Sequence, residues 1–312
     1  MQLDSTHIPV MLNEVLENLS PKAGDIIVDG TFGMGGYSRA FLEQTDCIVY
    51  AIDRDPDAIV RSKKLKAEYP NRFFILHGCF GDMQELLNNV NVKKVDGIVL
   101  DLGVSSPQLD ERERGFSFRE DGPLDMRMSQ EGISARDIVN TYEHGPLAHI
   151  IKHYGEEKMA GKVASAILRH REISPIETTG QLADIVRSVV FKGKSRIDSA
   201  TRTFQGIRIA VNDELGEVEK ALSTSSDLLN DEGRLVVVSF HSLEDRIVKK
   251  FIQSETYQGG GNRHLPMAEP KENKFKVGTK GVVKCSVKEA EFNPRSRSAK
   301  LRMVIRTKKM TD

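Results

Sequence analysis

The residues with the clearest chemistry are three aspartates, Asp29, Asp53 and Asp101, each closing an apolar run, and the glycines that follow the first of them. The stretch is VDGTFGMGGYSRAF, residues 28–41, with Gly30, Gly33, Gly35 and Gly36 inside seven positions. Glycines between a strand and a helix let the chain turn sharply and let a ligand lie against main-chain N–H groups. Nucleotides are the usual occupants of such a loop. A phosphate-binding P-loop requires a Lys-Ser/Thr pair after the glycines, and none follows here. The dinucleotide pattern G-x-G-x-x-G is met at Gly33 and Gly35 but has Ser38 in the third place. Asp53, about twenty residues on, has the spacing of a ribose-hydroxyl contact and suits any adenosine ligand. Asp29 discriminates between these ligands. An acid ahead of the glycines can hold the amino group of S-adenosylmethionine (SAM), whereas it repels a dinucleotide pyrophosphate. The residues therefore favour SAM, with NAD and an NAD-dependent oxidoreductase as the alternative.

Such side chains need a scaffold that brings several strand ends to one edge. Ile26–Val28, CIVYAID (47–53), RFFILHG (72–78) and KVDGIVLDLG (94–103) read as buried strands, separated by helical stretches at 55–69 and 82–89. Short apolar runs alternating with helices predict a parallel sheet covered on both faces. Right-handed crossovers put ligands at the carboxyl ends of the strands, where the glycine loop, Asp53, Phe80 and Asp101 fall. From about 106 to 214 the signals are helical only. Ala160, Val163, Ala164, Ile167 and Leu168 share one helical face, and Leu182, Ile185, Val186, Val189 and Val190 repeat the spacing. Thr178 and Gln181 are placed for a capping box at the second of these helices. GRLVVVSF (233–240) resumes the strand pattern, and HSLEDRIVKKFI (241–252) follows as a helix with Ser242 as N-cap. AKLRMVIRT (299–307) is a final strand, and residues 256–280, with Gly259 to Gly261 and two prolines, read as a mobile loop. The expected architecture is an α/β domain over 1–105 and 215–312, interrupted by an all-helical domain at 106–214.

Bulk properties bound the possibilities. A chain of 312 residues can bury a sizeable core and hold two domains. Its 39% hydrophobic and 29% charged content is that of a globular protein rather than a disordered one. No apolar run approaches the ~20 residues of a membrane span, and the N-terminus lacks a basic start and an apolar signal core. A cytoplasmic protein with no membrane partner is expected. Cys47, Cys79 and Cys285 are scattered and form no C-x-x-C pair, which excludes a disulfide scaffold or a cysteine zinc site and fits a reducing compartment. No metal site is expected elsewhere, because the helical pair His149 and His153 lacks the glutamate of H-E-x-x-H. Formal net charge is zero, so any nucleic-acid surface must be local. Two basic stretches qualify as phosphate-contacting surfaces. One holds Arg187, Lys192, Lys194, Arg196, Arg202 and Arg208, and the other Arg295, Arg297, Lys300, Arg302, Arg306, Lys308 and Lys309.

At DLGVSSPQLD (101–110) the sequence resembles a known family. Together with DGTFGMGGYS (29–38), RGFSFREDGPLDMRM (114–128), ATRTFQGIRIAVNDEL (200–215), SFHSLEDRIVK (239–249) and NPRSRSAKLR (293–302), it resembles the bacterial small-subunit (16S) ribosomal RNA cytosine-N4 methyltransferases. The resemblance runs over nearly the whole chain. It implies a Rossmann-like SAM-dependent methyltransferase fold, a mostly parallel sheet with an inserted all-helical substrate domain. It also implies SAM contacts from Gly35, Gly36, Tyr37, Asp53, Phe80, Asp101 and Gln108, beside the Asp29 and Gly33 of the loop itself. Members commonly carry histidine where this chain has Tyr37. The implied partner is 16S ribosomal RNA within the small ribosomal subunit. A catalytically silent ribosome-assembly factor on the same fold is a second alternative.

The chemistry of that reaction can be set against the residues. Cytosine N4 is a poor nucleophile because its lone pair is delocalised into the ring. An enzyme must align it with the methyl group and offer acceptors that favour a pyramidal amine. Asp101, with the main chain of LGVSSP after it, is the candidate, though it can equally bind cofactor. A paired base must also be unstacked or flipped to reach it. Arg114, Phe116, Phe118 and Arg127 interleave arginine with phenylalanine, as a base-stacking pocket does, or else brace the insert. His241 follows a strand at the same edge and is a candidate for substrate contact or for a helix cap. Methylation at C5 instead would need a cysteine thiolate. Cys47 lies inside a strand, Cys285 lacks a motif, and Cys79 precedes the expected adenine contact Phe80.

Overall fold

The computed structural model describes residues 9–191, 198–256, 273–279 and 281–308. In chain order, α1 (Leu12–Leu19) leads into β1 (Ile26–Asp29), α2 (Gly36–Gln44), β2 (Ile48–Asp53), α3 (Pro56–Glu68), β3 (Phe73–His77), α4 (Met83–Asn89) and β4 (Val95–Asp101). Six helices follow: α5 (Ser106–Asp110), α6 (Ala135–Thr141), α7 (His144–His153), α8 (Ala160–Arg171), α9 (Thr179–Val189) and α10 (Thr201–Asn212). The chain then runs through α11 (Glu214–Leu228), β5 (Leu229–Ser239), α12 (Ser242–Thr256), β6 (Phe275–Val277), β7 (Val283–Lys284), α13 (Val287–Phe292) and β8 (Lys300–Arg306). It divides into two units, 1–103 with 215–312, and 104–214.

In the first unit the apolar runs become one sheet in the order β3-β2-β1-β4-β5-β8-β6, with β7 paired to β8. The pairings from β3 to β5 are parallel, and β8 is antiparallel to β5, β6 and β7. Parallel strands need covering on both faces, and β4 is buried along nearly its whole length. One face packs against α1, α2 and α3 through Val15, Leu19, Phe41, Ala58 and Leu65. The other packs against α4, α11 and α12 through Leu87, Val218, Leu222 and Val248. Each fully buried valine, leucine or phenylalanine among these contributes about 1.5–3 kcal/mol of transfer free energy. Strand order reverses between β1 and β4, the position where open α/β sheets leave a crevice at the carboxyl edge. The register there, Asp29 opposite Val99, brings the ends of these two strands together.

The second unit is helical, with one isolated bridge, Pro123 to Thr178, among its described residues. Its core gathers α6 to α10 around Ile138, Leu147, Ile151, Ile167, Leu182 and Ile207. The Thr178 capping box forms as the sequence indicates: Thr178 Oγ1 accepts from Gln181 N–H at 3.3 Å, and Gln181 Oε1 from Thr178 N–H at 3.1 Å.

Two expectations need correction, and one element lies where no expectation is made. Helix α1 precedes the first strand, where the sequence pattern marks no element. Within 256–280, residues 275–277 form β6 against β8 rather than a mobile loop, because Phe275 buries its ring under α12 beside Phe251. Residues 257–272 and 280 lie outside the described residues. The cap of α12 is His241, not Ser242: its Nδ1 faces Glu244 N–H at 3.4 Å, and Glu244 Oε2 accepts from the N–H of His241 and Phe240 at 3.2 and 2.8 Å. No described helix is long and apolar enough to cross a membrane.

Candidate active site

The glycine loop joins β1 to α2 with Gly33 and Gly35 at φ 53° and 76°, the left-handed region where a Cβ is strained. At Gly35 a Cβ would also meet the Phe32 ring at 2.7 Å. A helix leaves its first N–H groups without intrahelical partners, and in α2 these belong to Gly36, Tyr37 and Ser38. The loop is held to the strand ends by carboxylates. Asp53 Oδ2 accepts from Gly33 N–H at 2.7 Å, and its Oδ1 from Asp55 N–H at 2.8 Å. Asp29 accepts from Ser38 Oγ at 2.7 Å and from Thr31 N–H at 3.3 Å. Thr31 Oγ1 in turn accepts from Asp101 N–H at 2.7 Å, which ties the loop to β4.

Burial dominates the electrostatics. It pushes the Asp29 carboxyl up to about 6, against the hydrogen bonds of Ser38 and Thr31 that pull it down. It also raises Asp53, against the N–H groups of Asp55 and Gly33. Asp101 is held well above the usual carboxylate range, first by burial and then by the charges of Asp29 and Glu244. Its Oδ1 is buried with no hydrogen-bond partner among the described residues. An orphaned carboxylate oxygen is costly, so its presence asks for a ligand donor or cation. A ligand that carries N–H donors meets that demand, and a pyrophosphate does not.

Other expected cofactor positions are distributed unequally. Phe80 is half-buried just past β3, its Cβ 3.3 Å from where a Cβ on Gly30 would lie. Tyr37 turns its side chain away from the loop: its hydroxyl donates to the Val10 carbonyl and its ring is buried in the core over Phe41. Gln108 belongs to the helical unit, buried, with Oε1 accepting from Ser105 N–H at 3.0 Å.

Several expected RNA contacts face inward instead. Arg114 is buried and donates to the carbonyls of Arg127 and Met128, both at 3.1 Å. Phe116 lies in the core of the helical unit. Phe118 packs edge-on against Phe204 at 4.6 Å and beneath the Arg187 guanidinium at 5.5 Å. Arg127 is paired with Asp125 at 2.6 Å. Among the described residues these four side chains are taken up in bracing the insert. His241 caps α12, with Nε2 3.0 Å from Glu244 Oε1. Arg202 is exposed, 4.0 Å from Glu157. Arg297 is exposed and donates to the Ala290 carbonyl, while Arg295 is half-buried. Lys192, Lys194 and Arg196 lie outside the described residues. Two residues of this edge are not singled out by the sequence pattern. Ser38 shows there only as a missing glycine, and Glu244 is inconspicuous although its position three after His241 is a capping spacing.

A mostly parallel sheet with a glycine loop at its switch point, acids at the ends of β1 and of both flanking strands, and a helical insert defines the SAM-binding methyltransferase class. The chain matches the MraW methylase family over residues 4–307 and belongs to it. It is 54% identical to the ribosomal RNA small subunit methyltransferase H of Rhodospirillum rubrum, over 96% of this chain and 94% of that protein. It is 52% identical to the protein of that name from Parvibaculum lavamentivorans, over 97% of this chain and 90% of the other. The chain is a methyltransferase with SAM as its cofactor. Neither the NAD-dependent oxidoreductase nor the silent assembly factor is supported.

Proposed function

We propose that this protein transfers a methyl group from SAM to the N4 amine of a specific cytidine in 16S ribosomal RNA of the small subunit, in the cytoplasm. The observation that carries the reading is Asp101, whose Oδ1 is buried and without a partner among the described residues, at the strand end beside the glycine loop. Asp29 receives the ammonium group of the cofactor, Asp53 its ribose hydroxyls and Phe80 its adenine. Gly33, Gly35, Gly36 and Tyr37 offer main-chain contacts. Bound there, SAM supplies a methyl group on a cationic sulfur that leaves as a neutral thioether. Asp101 accepts a hydrogen bond from the N4 amine, which turns its lone pair out of the ring and holds it in line, and the proton that N4 sheds once methylated leaves along that hydrogen bond. RNA is gripped by Arg202, Arg295 and Arg297 together with Lys192, Lys194 and Arg196. A C5 product would require a thiolate. Cys47 is buried, and burial pushes both its thiol and that of Cys79 up, so neither is a ready nucleophile.

The test is to incubate purified protein with SAM and unmodified small subunits and to identify the modified nucleoside by mass spectrometry. N4-methylcytidine is expected, and a Cys79→Ala variant stays active. Finding 5-methylcytidine, or a folded but inactive Cys79→Ala protein, overturns the assignment.

A further inference from the structure

A loop with glycines in the left-handed region has a large conformational freedom to lose, and a ligand that needs its N–H groups aligned bears that entropy unless the protein has removed it beforehand. Within the motif, Asp53 and Asp29 hold two points of the loop, Gly33 and Ser38. The first turn of α2 between those points is held from elsewhere. Pro9 lies directly on Gly36: a Cβ there would fall 2.2 Å from Pro9 Cγ. Next in sequence, the Val10 carbonyl accepts the Tyr37 hydroxyl, and one residue further Met11 N–H donates to Glu289 Oε1 at 2.7 Å. Met11 adopts φ 52°, a backbone conformation that a non-glycine residue takes only when its surroundings impose it. Val10, Met11, Tyr37 and Glu289 are all buried. Three consecutive residues thus form a strap fixed at one end to α13 and at the other to the two residues whose N–H groups open the ligand-binding helix.

We propose that Tyr37 and Glu289 are positioning residues, which hold the Pro9–Met11 strap against the glycine loop and thereby pre-order its main-chain donors for the cofactor. This rests on the loop being the SAM site. The phenol suits this role because it stays protonated. Burial, then the Asp101, Asp29, Glu289 and Glu14 charges, holds it well above its ordinary range, so it remains a donor. Neither side chain needs to touch the cofactor, so the strap acts on binding and leaves the chemical step alone.

The experiment titrates SAM calorimetrically into the full-length wild-type protein and into Tyr37→Phe, Glu289→Ala and Glu289→Gln. Amide exchange over residues 33–38 and kcat at saturating SAM are followed in parallel. Loss of either contact should weaken SAM binding roughly 3- to 10-fold, the size of one net hydrogen bond. Exchange should quicken in the loop and not in β1 or β4, and kcat of Glu289→Ala should be unchanged. Glu289→Gln keeps an acceptor oxygen and should bind as wild type does. If the wild type itself fails to bind SAM, the methyltransferase reading falls and the strap with it. If the wild type binds and both Tyr37→Phe and Glu289→Ala bind equally well, the strap alone is refuted. Should Tyr37→Phe not fold, Glu289→Ala decides, because it touches the strap and not the loop.

Discussion

The carboxyl of Asp29 is the most informative single group, because its environment makes the site sensitive to pH. Its native value near 6 lies above the ordinary 3.8, so the folded protein binds this proton more tightly than the unfolded chain. Stability from this group is therefore complete below about pH 4 and lost as the pH rises through about 6, on the order of 3 kcal/mol in all. Urea unfolding of the cofactor-free protein from pH 4 to 7 should show that component, and Asp29→Asn should flatten it. On the proposed assignment of the SAM ammonium to Asp29 the cofactor reverses the preference, because an ammonium group favours the ionised acid, so SAM affinity should fall as the pH drops below about 6. Asp29→Asn should remove that dependence as well, which calorimetry at several pH values would reveal. Asp53 also holds Gly33, a role that its spacing does not suggest. Asp53→Ala should weaken SAM binding about 10- to 150-fold in a folded protein. Unchanged affinity would remove Asp53 from the site.

At the scale of elements, caps and strand ends are legible because their signals are local. Thr178 and Gln181 are three residues apart and cap α9 as their spacing indicates. The segment 114–128 suggests a pocket because its composition alternates arginine with phenylalanine. Its actual role depends on partners far away in sequence. Asn212, buried on α10, donates to the Met126 carbonyl at 2.7 Å and accepts from Met128 N–H at 2.9 Å, 86 and 84 residues distant. Together with Arg114 it clasps a turn in which Met126 sits at φ 65°. Asn212→Ala leaves two buried backbone groups unpaired and should destabilise the helical unit by about 2–4 kcal/mol. Urea denaturation would read this as a lower midpoint, and an unchanged midpoint would show that the clasp contributes nothing to stability. Substituting an exposed residue such as Lys162 should leave it in place.

For the whole molecule the central question is where a chain of zero net charge meets a polyanion. Charge counting along the sequence proposes two basic stretches, and the structure thins both. Lys300 and Arg302 converge on Asp245 at 3.0 and 2.8 Å, and Arg306 is buried with a donor on the Lys274 carbonyl. In the helical unit Arg187 pairs with Asp184 and Asp198, and Arg208 with Glu214. Reversing Lys192, Lys194 and Arg196 to glutamate should weaken RNA binding and lower its salt slope by about 2–3, with SAM affinity unmoved. Filter binding across a salt series is the measurement, and an unaltered slope removes this stretch from the interface. Sequence by itself determined the strand and helix alternation, the glycine loop, the acids at the strand ends and the helical insert. Those follow from periodicity and from backbone conformations that few residue types permit, both encoded within a few positions. Which arginines are already paired, that Tyr37 faces Val10, that Asp101 keeps an oxygen without a partner among the described residues and that residues 275–277 join the sheet were decided by tertiary structure alone. Each depends on burial or on a partner distant in the chain, and desolvation and pairing take their values only once the fold has brought those groups together.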